Sequence, residues 1–352
     1  MIKKRIGDLE MIRFNCDYSE GADARILEKL VSTNLVQTEG YGEDCYCKQA
    51  KELIKAACQR QDADVHFLVG GTQTNLTVIA SALRPYQGVL CAETAHINVH
   101  ETGAIEACGH KVLALHSKDG KISAAQIDAC YKAHVNDENF EHTVQPKMVY
   151  ISQPTELGTL YSREELAEIS DVCHRNGLLL YVDGARLGYG LAAKDNTVSL
   201  PDLAELCDVF YIGGTKIGAL FGEAVVIVNP RLKEGFRYII KQKGGMLAKG
   251  RLLGIQFLGL FENDLYMELC GHADRMADLM REAFQKAGYP FLVENTTNQL
   301  FPIFLDSELE RLREKFEFAY QQRVAAEHSA VRFCTSWATK KKDVESLIQY
   351  IL

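Results

Sequence analysis

The chain has 352 residues, of which 47% are hydrophobic and 24% charged, with a formal net charge of −8. A chain this long outgrows a single hydrophobic core, so a large domain with a smaller companion is expected, and the composition excludes a disordered protein. The acidic balance argues against nucleic acid or an anionic membrane surface as the main partner. The chain begins with a basic stretch that includes Lys3, Lys4 and Arg5. No apolar segment follows it that could serve as a signal peptide, and no window is apolar long enough to span a bilayer. Seven short apolar runs then read as buried strands, at 65–69, 88–92, 111–115, 148–152, 178–183, 209–213 and 224–228. Several lack polar alternation, as strands covered on both faces should. Segments of helical period lie between most of them. One spans 72–83; another, 163–176, opens on Ser162 and Glu165 as a capping box and is followed by Gly177 at the C-cap. This alternation predicts an α/β fold around a mostly parallel, seven-stranded sheet. After Asn229-Pro230 the pattern changes to a long helical stretch over 232–269, a helix over 273–287 and strand-like pieces at 299–305 and 331–336. The expected division is an N-terminal segment, 1–20, packing with the small domain; a large domain, 21–235; and a smaller α+β C-terminal domain, 236–352.

The 11 cysteines are odd in number and scattered, and several, such as Cys58, Cys91, Cys173 and Cys207, sit in apolar or helical stretches. They read as small, reduced hydrophobes, which places the chain in a reducing cytosol. Cys45 and Cys47 have no second pair at metal-ligand spacing, so no metal site is expected.

In open α/β sheets the ligand sits beyond the carboxyl ends of the strands, so the residues after each apolar run carry the interest. The first run is followed by Gly70-Gly71-Thr72-Gln73-Thr74-Asn75, opening a helix. Glycines allow close backbone approach, and a helix N-terminus offers free N–H groups to a phosphate; a plain strand-to-helix turn would look the same. The fifth run ends on Asp183, within Tyr181-Val182-Asp183-Gly184-Ala185-Arg186. A carboxylate there needs a cationic partner, either a protonated pyridinium nitrogen or an internal ion pair with Arg186. The sixth run leads into Gly213-Gly214-Thr215-Lys216-Ile217-Gly218. An amine between glycines and apolar residues is a candidate for Schiff-base formation, and Thr215 beside it could hydrogen-bond a phosphate. Together the phosphate cradle, strand-end Asp and strand-end Lys stand in the chain order that a pyridoxal 5′-phosphate (PLP) site needs. No Walker A loop and no Gly-x-Gly-x-x-Gly turn competes with that reading.

These elements, with Tyr41-Gly42-Glu43-Asp44, Ala95-His96 and Val331-Arg332-Phe333, resemble the threonine aldolase/β-eliminating lyase family of fold-type I PLP enzymes, over nearly the whole chain. The resemblance implies an aspartate aminotransferase-like fold. It implies that Gly71, Thr72 and Gln73 hold the phosphate with Thr215, that His96 stacks on the cofactor ring, that Asp183 pairs the ring nitrogen and that Lys216 carries the Schiff base. Arg186 and Arg332 would grip the substrate carboxylate, and Tyr41 would reach a neighbouring subunit's site in a homo-oligomer, dimer or tetramer. Two segments depart from the family pattern. Asn15-Cys16-Asp17-Tyr18 stands where Arg-Ser-Asp-Thr is common, and Gln153-Pro154-Thr155-Glu156 where Glu-Asn-Thr-His is common, so Glu156 replaces the histidine expected near the substrate's β-hydroxyl. The expected activity is cleavage of a β-hydroxy-α-amino acid to glycine and an aldehyde, with His96 or Glu156 as the base. β-Elimination on serine, cysteine or an aromatic amino acid is the alternative; transamination and PLP binding without turnover rank behind it.

Overall fold

The computed structural model describes residues 11–352. Its centre is a seven-stranded sheet: β1 (Asp64–Leu68), β2 (Gln87–Ala92), β3 (Val112–Leu115), β4 (Gln145–Ser152), β5 (Leu179–Asp183), β6 (Val209–Gly213) and β7 (Glu223–Ile227). The spatial order is β1-β7-β6-β5-β4-β2-β3. Only β7 runs antiparallel to its neighbours, β1 and β6; the other four pairings are parallel. All seven apolar runs of the sequence are therefore strands, and β2, β6 and β7 are buried along their whole length. Burial on both faces is what removes polar alternation from such strands. The sheet is tightest where β5 and β6 end. A Cβ on Gly184 would fall 1.8 Å from the Tyr211 carbonyl oxygen, and one on Gly213 would fall 2.3 Å from that of Ala185. Glycine at both positions lets the two strand ends that carry Asp183 and Lys216 lie side by side.

Three helices matter for the site: α1 (Gly71–Ala82), α2 (His96–Val99) and α3 (Arg163–Arg175). The capping box on α3 forms, with the Ser162 hydroxyl accepting from Glu165 N and the Glu165 carboxylate accepting from Ser162 N. The long helical stretch expected over 232–269 is instead three helices, α4 (Phe236–Gln242), α5 (Arg251–Phe261) and α6 (Leu265–Lys286). Gly244 at φ 76° ends the first, and Asn263 and Asp264, both at positive φ, separate the second from the third. Hydrophobic period continues through these breaks because all three pack on one core, so periodicity alone did not reveal them.

The second sheet is antiparallel, built from β8 (Gln299–Leu300), β9 (Ile303–Leu305), β10 (Ala319–Ala325) and β11 (His328–Cys334), with β11 at its centre. Pro302 divides the expected 299–305 piece into β8 and β9. The polar, largely exposed β10 escaped the sequence reading because an edge strand needs no apolar face. Residues 1–10 of the expected N-terminal segment lie outside the described residues. From the remainder, Ile12–Arg13 pairs in parallel with Phe316–Glu317, beside the second sheet. Two hydrophobic clusters result. One surrounds the large sheet and takes in Phe236, Phe257, Leu265 and Ala273; the other holds Phe14, Met276, Phe284, Phe304, Phe333 and Leu347. Helix α6 thus serves both. Among the described residues no helix is long and apolar enough to cross a membrane.

Candidate active site

A cavity of about 570 Å³ opens at the carboxyl edge of the large sheet, a size suited to a small ligand. Its walls bring together Gly71, His96, Glu156, Asp183, Arg186 and Lys216 from that edge, and Arg332 from β11. The first six come from five strand ends, Asp183 and Arg186 sharing that of β5, so sheet topology assembles them.

Asp183 is almost fully buried and accepts four hydrogen bonds. Tyr150 Oη (2.5 Å) and Asn75 Nδ2 (3.1 Å) donate to Oδ2; Tyr211 Oη (2.6 Å) and Ala185 N (2.9 Å) donate to Oδ1. Asn75 is itself fixed, donating to Glu101 (2.7 Å) and accepting from Tyr181 Oη (2.7 Å). Burial, and then the Asp183 charge, hold the Tyr150, Tyr181 and Tyr211 phenols well above their ordinary value, so they remain donors. An ion pair between Asp183 and Arg186, one of the two partners the sequence allowed, does not form.

Arg186 pairs instead with Asp17, through Nε to Oδ2 (2.6 Å) and Nη2 to Oδ1 (3.0 Å), and Asn298 Nδ2 also donates to Asp17 (3.0 Å). Asp17 is fully buried. Burial alone would raise its carboxyl, but Arg186 beside it holds the group below the usual carboxylate range. Half of the Arg186 fork is thereby taken. Arg332 is held more loosely: Nη1 lies 3.5 Å from Gln299 Oε1 and Nη2 3.3 Å from Asn15 O, while its buried Nε has no partner among the described residues.

His96 Nδ1 meets Glu101 Oε1 at 2.8 Å. Burial disfavours its cation, but Glu101, Asp183 and Glu156 outweigh that and raise it above the ordinary imidazole value. Glu156 Oε1 accepts from Ser152 Oγ (2.7 Å) and His96 N (2.9 Å). Shielding from bulk solvent pushes its carboxyl up, with the Ser152 hydrogen bond working against that and Asp183 adding to it.

Four sequence-selected residues lie off the cavity wall. The Thr72 side chain is exposed at the first turn of α1. The Gln73 amide is engaged by backbone, accepting from Val69 N (3.2 Å) and donating to Lys243 O (3.3 Å). The Thr215 hydroxyl donates to Glu223 (2.7 Å) and accepts from Gly222 N (3.0 Å), so it too is engaged. Tyr41 lines a separate recess with Arg237 and Met246, about half exposed and at φ 58°. Conversely, sequence reasoning passed over Asp17 as an Arg186 partner, Glu101, Glu223 and His100. No spacing rule ties Asp17 to Arg186, 169 positions away. Glu223 is buried beneath Thr215 and Gly214; burial pushes it up to about 7 against the lowering pull of Lys216.

A family model described as β-eliminating lyase matches residues 19–306. The chain belongs to the β-eliminating lyase family. Among relatives of this lyase, a low specificity L-threonine aldolase from a Pseudomonas species is 30% identical over 95% of both chains. The structure of a Leishmania major threonine aldolase is 42% identical, covers 97% of this chain and 98% of its own, and superposes with a TM-score of 0.94. An aspartate aminotransferase from Thermus thermophilus, 13% identical, shares the fold at a TM-score of 0.70 over 98% of this chain and 92% of its own. The lyase fold is thus fold-type I, and its cofactor is PLP. The residues present suit that group. Lys216 and Asp183 face one cavity, α1 begins at Gly71 without a side-chain cap, and the buried Thr94 Oγ1 at the wall lacks a partner among the described residues.

Proposed function

We propose that the protein cleaves L-threonine or L-allo-threonine, as β-hydroxy-α-amino acids, to glycine and an aldehyde. The observation that carries the reading is one cavity faced by Lys216, Asp183, two arginines and a set of proton-accepting groups. Lys216 would hold the cofactor covalently, Asp183 would meet its ring nitrogen, His96 would stack on its ring, and the N–H groups opening α1 at Gly71 and Thr72 would receive its phosphate. When bound, the cofactor supplies an electron sink for the pair left on Cα. The network of Tyr150, Tyr211 and Asn75 holds the Asp183 carboxylate in one orientation, so that no reorganisation is needed on binding.

Arg332, with an unpartnered Nε, takes the substrate carboxylate, and the open edge of Arg186 completes the clamp. Asp17 keeps the Arg186 guanidinium from turning away. Glu156, tied to Ser152 and His96 N, positions the turn that carries His96 against the β-substituent. The chain works as a homo-oligomer, dimer or tetramer, in which Tyr41 reaches a neighbour's cavity. Its exposure away from this chain's own cavity and the apolar surface at Val31 and Leu35 support that reading. The 11 free cysteines suit a cytosolic location. We place the division of the two packing units within α6, near residue 275, in place of the 235/236 division expected from sequence; Phe236, Phe257, Leu265 and Ala273, in the core of the large sheet, support that reading.

The test is product analysis of the PLP-loaded protein given L-threonine, L-allo-threonine and L-serine in turn. Glycine with acetaldehyde is the expected result. Pyruvate from serine or 2-oxobutyrate from threonine, without glycine, would make the chain a β-eliminating enzyme and overturn the reading.

A further inference from the structure

His100 closes α2, its N–H donating to the His96 carbonyl, and it lines the cavity beside His96, with ring centroids 5.6 Å apart. It is exposed to the cavity, and no hydrogen bond from the described residues engages its ring. Two neighbouring proton acceptors on this wall are each held through one atom. His96 Nδ1 is tied to Glu101, and its face is needed for stacking; Glu156 Oε1 already accepts two hydrogen bonds. A base must have a free lone pair within reach of the proton it takes.

We propose that His100 accepts the proton of the substrate's β-hydroxyl as the carbon–carbon bond breaks, an assignment that rests on the aldol-cleavage reading above. Where the family pattern places a histidine, this chain has Glu156, and the cavity supplies an imidazole at His100 instead. The carboxylate clamp sets the direction. An amino acid held by Arg332 and Arg186 lies against the same wall that carries His100. His100 takes the hydroxyl proton on a ring nitrogen. The O–H electron pair becomes the aldehyde C=O, and the Cα–Cβ pair stays on Cα. Cα takes up a proton from solvent in place of the one His100 then releases, and glycine leaves.

Electrostatics keep His100 in its accepting form. Burial first, and then His96, Arg332 and Arg186, hold it below the ordinary imidazole value. The other charged or titratable groups facing this space are Glu93, Glu156, Asp183, Tyr211 and Lys216 from the large sheet's edge and Tyr18 from the N-terminal segment, with Glu101 behind His96. The two histidines of one helical turn are thus split, His96 toward the cation and His100 toward the neutral base, as paired acid–base groups are in catalytic sites.

The experiment compares H100N and H100Q with the wild-type holoenzyme in two reactions. Cleavage of L-threonine needs the hydroxyl base; exchange of the glycine Cα proton in D₂O needs only the cofactor, Lys216 and the clamp. Cleavage kcat is expected to fall by about 100-fold or more, while exchange changes by less than about threefold and cofactor absorbance is retained. The acid limb of the wild-type kcat profile should vanish in both variants. An NMR titration of the cofactor-free wild type should show the His100 ring titrating below the ordinary imidazole value. Unchanged cleavage, a parallel loss of exchange, or a His100 ring titrating above that value would each overturn the assignment. A wild type that exchanges glycine but never forms it from a β-hydroxy amino acid would remove the aldol reading, and the assignment with it.

Discussion

Arg186, on the carboxyl edge of the large sheet, and Arg332, on the smaller sheet that faces it, present the same functional group to one cavity under opposite conditions. Arg186 follows a buried strand end and is locked by two hydrogen bonds to Asp17, a carboxylate sealed from solvent. Arg332 makes two long contacts and keeps an unsatisfied Nε. One arginine is part of the architecture before any substrate arrives; the other has hydrogen-bonding capacity still to fill. The large sheet therefore supplies rigid geometry, and the small sheet supplies an adjustable contact. Binding of a carboxylate should register mainly on the second.

The largest expected effect breaks the locked arginine. Asp17→Ala leaves the Arg186 charge buried and unpaired, and should cost about 3–5 kcal/mol in urea unfolding of the holoenzyme. A stability equal to wild type would mean that Asp17 does not hold Arg186, and the contrast between the two sheets would fall. Arg332→Ala sharpens the comparison from the other side. It removes about 1.5–3 kcal/mol of charge-assisted binding, so KM for L-threonine should rise roughly 10- to 100-fold with little change in unfolding. If instead the variant unfolds early and KM holds, the two arginines have exchanged roles.

The smallest effect lies in α6, which joins the two cores. Asp274 there is buried, with neither carboxyl oxygen partnered among the described residues, and burial followed by Asp278 pushes it up to about 9 against Arg281 and Arg275. Its folded-state value lies above the unfolded one, so the folded state keeps a proton that the unfolded chain has lost. The stability it contributes is fully present below the unfolded value and is lost as pH rises through about 9. Asp274→Asn cannot ionise. It should match wild type near pH 4 and exceed it by a margin that widens as pH rises toward 8, read as the midpoint of thermal unfolding. An unchanged pH dependence would mean that Asp274 is solvated or paired.

Much of the molecule could be read from residue order because its signals are local. Seven apolar runs are seven strands, since a strand covered on both faces must be apolar throughout. Ser162 and Glu165 announce a helix start because the capping box closes within four residues. Gly71, Asp183 and Lys216 could be selected because strand ends of a parallel sheet converge on one edge. What lay outside that reach depends on partners distant in the chain. The breaks in the 232–269 stretch sit where hydrophobic period continues across a change of helix axis. The spent amide of Gln73 and the engaged hydroxyl of Thr215 follow from where Lys243 and Glu223 come to rest.

The sequence by itself thus determined the strands, the edge at which chemistry gathers and the residue types offered there, because each follows from local periodicity and strand-end position. Only the tertiary structure decided which of those residues remain free to act. Asp17 claims half of Arg186 from 169 positions away, and Glu101 claims His96 while His100 is left open. A side chain's availability depends on which hydrogen-bond partners packing brings within about 3 Å, and no pattern of neighbours in the chain encodes that distance.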